Sequence, residues 1–137
     1  MTEFSGSRID HLNLAVPDLD RSLAFYVPVL AAIGIDKLLA ITDRDDIPEM
    51  HGFGVWPKPF FWLIAGGTVG SNMHLAFTAD DRAAVEAFHA AARAAGATEL
   101  HAPGVWEEYH PDYYGGFVLD PDGINLEAVC HAPVGDG

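Results

Sequence analysis

Cysteine is nearly absent: Cys130 is the one thiol in 137 residues. No disulfide can form within the chain, and a cysteine-rich metal site is excluded. Cations are also scarce. Seven Lys plus Arg stand against 20 Asp plus Glu, a formal charge of −13, where a small soluble domain usually carries a magnitude of roughly 2–8. Repulsion from phosphates argues against nucleic acid or an anionic membrane as the main partner. No stretch approaches the ~20 uninterrupted apolar residues of a spanning helix, and the opening MTEFSGSRID lacks the basic-then-apolar plan of a signal peptide. A cytoplasmic protein is the expectation.

What is present is ordinary in kind. Half the residues are apolar and a fifth are charged, as in soluble globular chains and unlike disordered ones. The length of 137 residues fits one domain and not two of ~100–150. The seven histidines carry the more promising chemistry.

The chain repeats itself. At an offset of 63, His11-Leu12-Asn13-Leu14 aligns with His74-Leu75-Ala76-Phe77, Asp18 with Asp81, Ala24-Phe25 with Ala87-Phe88, and Ala31-Ala32 with Ala94-Ala95. One residue of slippage brings Gly34 onto Gly96. Halves of this size bury a core poorly alone, so they should pack as one domain over residues 1–137, module one at about 7–66 and module two at about 71–131.

Each half reads as strand, helix, then three strands. Residues 9–16 alternate, with Leu12, Leu14 and Val16 on one face, the pattern of a half-buried strand. Asp18 or Asp20 can cap the helix that follows, whose stripe is Leu19, Leu23, Tyr26, Leu30 and Ile33, and Gly34 stops it. Pro28 should bend this helix or split off its last turn. Strands follow at about 37–41, 51–56 and 60–65. The second half repeats the plan with a strand at 73–78, a helix at about 82–95, and strands near 98–102, 114–119 and 124–130. Asp120-Pro121-Asp122-Gly123 supplies hairpin-turn chemistry. Residues 102–111 form the longest predicted loop.

Strand alternation puts His11 and His74 on the faces opposite the packed Leu and Phe residues, beside Asn13, Ala15, Ala76 and Thr78. Glu127 falls on the same inner face of the last strand. An isolated histidine on a strand reads as surface or satisfied core. Two at repeat-equivalent positions with an inward carboxylate form a site for a divalent metal with positions left open. His51, His89 and His101 read as structural or surface, and His131 as exposed.

These residues carry a resemblance. The doubled plan, with His on the first strand of each half and Glu127 closing Asp120-Pro121-Asp122-Gly123-Ile124-Asn125-Leu126-Glu127, resembles the vicinal oxygen chelate superfamily of glyoxalases, bleomycin resistance proteins and extradiol dioxygenases. The resemblance implies an α+β fold of two βαβββ modules forming a cupped mixed sheet around a central metal or ligand cavity. It assigns His11, His74 and Glu127 to a divalent metal ion (Fe, Zn, Ni or Mn). The fourth ligand of lactoylglutathione lyases maps to Leu63, which cannot ligate. Three ligands resemble the facial triad of the dioxygenases, with Phe117 where their Tyr stands and Tyr113 or Tyr114 as substitutes.

The segment Trp106-Glu107-Glu108-Tyr109-His110-Pro111-Asp112-Tyr113-Tyr114 suits the mouth of a small-molecule site, with His110 able to exchange a proton near neutrality. Catalysis is therefore expected from Glu127 and His110, and substrate binding from Asn13, Trp62, Tyr109, Tyr113 and Phe117. The resemblance implies a metal-dependent lyase, isomerase or dioxygenase acting on a small molecule with adjacent oxygens, in a homodimer. The other reading is a non-catalytic drug-binding protein of the bleomycin-resistance type, for which an acidic surface would attract a cationic ligand.

Overall fold

The computed structural model describes residues 6–71 and 73–133. The order is β1 (Leu12–Val16), α1 (Leu19–Ala31), β2 (Asp36–Ile41), β3 (Met50–Val55), β4 (Lys58–Ala65), β5 (His74–Thr78), α2 (Arg82–Ala94), β6 (Thr98–Val105), β7 (Tyr114–Leu119) and β8 (Asn125–Cys130). The strands form two four-stranded mixed sheets of equivalent order, β1-β4-β3-β2 and β5-β8-β7-β6. In each, the first strand runs parallel to the last and the remaining pairs are antiparallel. This is the expected α+β architecture. Among the described residues no helix is long and apolar enough to cross a membrane.

The repeat extends to the helix ends. Asp18 accepts from the Arg21 N–H at 3.0 Å and Asp81 from the Ala84 N–H at 2.8 Å, each satisfying a backbone donor that the first turn leaves unpaired. At the other ends Gly34 and Gly96 take positive φ, and the Ile35 and Ala97 N–H groups return to the Leu30 and Ala92 carbonyls at 3.0 Å. Only glycine enters that conformation without steric cost, so both helices stop at the same place. Pro28 does not split α1, which runs on to Ala31. Val29 and Leu30 beyond it are fully buried, and that burial holds the last turn despite the missing hydrogen bond.

Two boundaries differ from expectation. The first strand begins at Leu12, leaving His11 just before it. β6 runs to Val105 and absorbs the start of the predicted loop, with register breaks around His101 that a two-residue period cannot reveal.

Leu14, Val16, Phe53, Phe61 and Leu63 from one sheet, and Phe77, Val118, Leu126 and Ala128 from the other, share one core with both helices. Phe61 and Phe77 meet across it edge to face, with ring centroids 5.3 Å apart. The modules are also joined by polar groups. The buried Tyr26 hydroxyl of α1 donates to Asp120 Oδ2 at 2.6 Å, while Asp120 Oδ1 accepts from the Asp122 and Ile124 N–H groups at 2.8 and 2.9 Å. Arg21 reaches Asp122 of the same turn. Burial and the neighbouring carboxylate hold the Tyr26 phenol well above its usual range.

Hydrogen bonds to charged groups contribute ~1.5–3 kcal/mol. Tyr26→Phe should therefore lower unfolding stability by about 2 kcal/mol, read as a lower urea midpoint with an unchanged slope.

Candidate functional site

The open face of the second sheet centres on Glu127. Strand register aligns Ala76, Glu127 and Phe117 across β5, β8 and β7, and alternation puts His74 on the same face. The Glu127 side chain is wholly buried. His74 Nε2 stands 2.8 Å from its Oε1, and the Tyr113 hydroxyl makes a short hydrogen bond to its Oε2. Burial, then the Glu127 carboxylate, push the Tyr113 phenol above its usual range. Gly115 makes room for the group, since a Cβ there would lie 2.8 Å from Glu127 Oε2.

Aromatic rings border this carboxylate. Phe117 lies 5.9 Å from His74 and 5.2 Å from Trp106, whose indole N–H bonds the Gly115 carbonyl at 3.1 Å. His101 joins them edge to face, 5.1 Å from Trp106 and 5.8 Å from Phe117. It thus belongs to the wall of the site, a placement hidden in the sequence by the irregular register of β6. On the other side Tyr109 packs on Tyr113 at 4.8 Å, and His110 meets the edge of Tyr113 at 5.6 Å.

Both ring nitrogens of His110 are engaged. Its Nδ1 accepts from the Asp112 N–H at 3.1 Å, so its proton sits on Nε2, which faces His131 Nδ1 at 2.9 Å. Burial and then His110 hold His131 below the ordinary imidazole range. His131 is therefore part of this cluster and not a bare surface residue. His51 and His89 are buried packing residues, as expected, bonded to Glu49 at 2.8 Å and Glu99 at 2.6 Å.

On the first sheet, His11, Asn13 and Trp62 share a hollow of about 390 Å³ with Ile41, Met50, Lys58 and Pro59. Trp62 lies over Gly52, where a Cβ would stand 2.8 Å from the indole ring. Leu63 points into the core, so no fourth donor comes from that position. His11 Nδ1 is 2.8 Å from Asp10 Oδ2, and the same oxygen accepts from Lys58 Nζ at 2.8 Å. Lys58 and His11 together hold the Asp10 carboxyl below its usual range.

A second hollow, of about 490 Å³, runs from His11 and Leu12 past Phe60 to Leu75, Ala76 and Thr78 of β5. Among the described residues no three His, Cys, Asp or Glu side chains gather to hold a metal. His74 and Glu127 stand together, and His11 lies at the first-sheet end of this hollow. The donors nevertheless suit a divalent ion in kind. Glu127 is a desolvated carboxylate that no Lys or Arg among the described residues pairs with, and a cation would offset its burial.

A family model described as the glyoxalase/bleomycin resistance protein/dioxygenase superfamily matches residues 8–128. The chain belongs to that superfamily. Solved structures of its members share the fold. A glyoxalase/bleomycin resistance protein from Albidiferax ferrireducens T118 has 26% identity and a TM-score of 0.73, covering 92% of this chain and 100% of its own. A glyoxylase/bleomycin resistance protein/dioxygenase domain from Frankia sp. EAN1pec has 20% identity and a TM-score of 0.68, with coverage of 93% and 100%. Glyoxalase I from Zea mays has 23% identity and a TM-score of 0.68, with 92% of this chain covering 45% of that one. No curated protein matches.

The packing at Gly115 is open to a direct check. Gly115→Ala should displace the Glu127 carboxylate and cost about 1–3 kcal/mol by overpacking, while Gly104→Ala, with its nearest neighbour 3.9 Å away, should stay within about 0.5 kcal/mol. Equal denaturant midpoints for the two variants would contradict the contact.

Proposed function

We propose that this superfamily member is a metal-dependent enzyme acting on a small molecule with adjacent oxygens, by lyase, isomerase or dioxygenase chemistry. His11, His74 and Glu127 would hold a divalent ion (Fe, Zn, Ni or Mn), with a second copy of the chain in a homodimer as part of the reading. One observation carries it: a fully buried carboxylate set against an imidazole at 2.8 Å, with no Lys or Arg among the described residues paired to it.

When bound, such an ion would supply Lewis-acid polarisation to a pair of substrate oxygens. The chain's own groups do the rest. Tyr113 and Gly115 set the carboxylate's position, and Glu127 Oε2 is the atom that takes or returns a proton once the Tyr113 hydroxyl moves aside. His110 serves as a further proton carrier through its Nε2 and His131. Asn13 and Trp62 on the first sheet, with Tyr109, Tyr113 and Phe117 on the second, bind the organic part of the substrate and exclude water from it.

A second reading, a drug-binding protein without chemistry, is favoured by Leu63 at the fourth-ligand position and by the absence of a gathered triad among the described residues. The two readings separate by experiment. Protein purified without chelator should contain metal on elemental analysis, and His11→Ala and Glu127→Ala should each lose it. Fe(II)-, Mn(II)-, Zn(II)- and Ni(II)-loaded samples should turn over a member of a panel of catechols and thiol hemiacetals. Metal that is absent, or indifferent to both substitutions, would sink the enzyme reading. Metal-independent quenching of Trp fluorescence by a cationic or aromatic ligand would then support the second.

A further inference from the structure

Lysine and arginine are missing from the strands that build the aromatic wall. None of the seven follows Arg93 in the sequence, so β6, β7, β8 and the loop from Trp106 to Tyr113 carry no Lys or Arg. The same loop carries Glu107, Glu108 and Asp112, the first two exposed. Elsewhere the cations are mostly taken. Arg21, Arg44 and Arg93 pair with Asp122, Asp46 and Glu99, and Arg82 lies over the Tyr114 ring at 4.7 Å. Lys58 is the one Lys or Arg lining the two hollows beside the site, and its Nζ is bound to Asp10 at 2.8 Å.

A carboxylate or phosphate on a ligand is ordinarily held by a guanidinium or an ammonium. The wall offers neither, and the formal charge of −13 sets a repulsive field against any anion. A positive substituent meets the opposite conditions: the field attracts it, and aromatic faces bind it. Tyr109 is 59% exposed and packs on Tyr113 at 4.8 Å, so a supported ring stands open to a cation. Phe117, Trp106 and His101, which meet edge to face, line the other side of Glu127 with rings suited to an aromatic body.

We propose that the site selects a small aromatic molecule bearing a positively charged amine and rejects the corresponding carboxylate. The ring lies among the aromatic side chains that border Glu127, with the amine at the exposed ring of Tyr109. The inference rests on this face being the small-molecule site, as proposed above, and not on a bound ion.

Three matched probes test it: dopamine as the amine, methylcatechol as the neutral analogue and dihydroxyphenylacetate as the acid. Each is titrated calorimetrically into the full metal-free chain at ionic strengths of about 0.01 and 1 M, where charges are screened beyond ~30 and ~3 Å. At low salt the amine should bind about tenfold tighter than the acid, with the neutral probe between them, and the gap should shrink at high salt. Tyr109→Ala should weaken the amine by about two- to fivefold, more than it weakens the neutral probe. His101→Lys should draw in the acid, raising its affinity about tenfold. An acid bound as tightly as the amine, or no measurable binding of any probe at millimolar concentration, would overturn the proposal. Metal absent on elemental analysis with the amine preference intact would remove the metal-dependent reading alone. Metal-loaded protein that turned over all three probes with equal kcat/KM would leave that reading standing and overturn this one.

Discussion

One carboxylate sets the terms for the second half of the molecule. Glu127 is the only acidic residue among the described side chains with no exposure at all, and a carboxylate removed from water must be met by donors or by a cation. Tyr113 and His74 meet it from opposite oxygens. Their placement depends on the β5-β8-β7 register, and the room for the group depends on Gly115. A larger residue at 115, or a slip of one position in β8, would either expel the carboxylate or turn it into the hydrocarbon core. The aromatic wall follows from the same strand, because Trp106 is pinned to the Gly115 carbonyl and carries Phe117 and His101 with it.

The half-buried strands, the two capped helices and the internal repeat were legible in the sequence because each has a local cause. Alternation marks a face, Asp18 and Asp81 mark starts, and Gly34 and Gly96 mark stops. The sharing of one face by His74 and Glu127 was legible for the same reason, whereas His11 falls just before β1. What was not legible depended on contacts distant in sequence or on broken periods. The extension of β6 past Ala102 and the placement of His101 follow from bulges, which shift the face on which a side chain emerges. Continuity of α1 through Pro28 comes from burial that local propensity does not contain. The pairing of His110 with His131 joins a loop to the end of a strand, and no spacing rule predicts it. Asp10 and Lys58 are 48 residues apart and meet only once β4 is paired with β1.

The candidate site is consequently divided by type of support. The Glu127 side is desolvated and has a hydrogen-bond partner on each oxygen. The His11 side is exposed and held by an ion pair to one strand. A ligand or ion engaging both would meet a preset partner on one side and an adjustable one on the other, with the apolar hollow past Phe60 and Leu75 between them.

The bond from Tyr26 to Asp120 breaks the likeness of the two halves. The two halves share a plan, yet Tyr26 of α1 grips the turn of the other half, and the equivalent residue of α2, His89, turns instead to Glu99 within its own half. The duplication has lost its symmetry at this point. The second half carries a buried aspartate whose hydroxyl donor resides in the first, so this bond forms only where the two halves pack together.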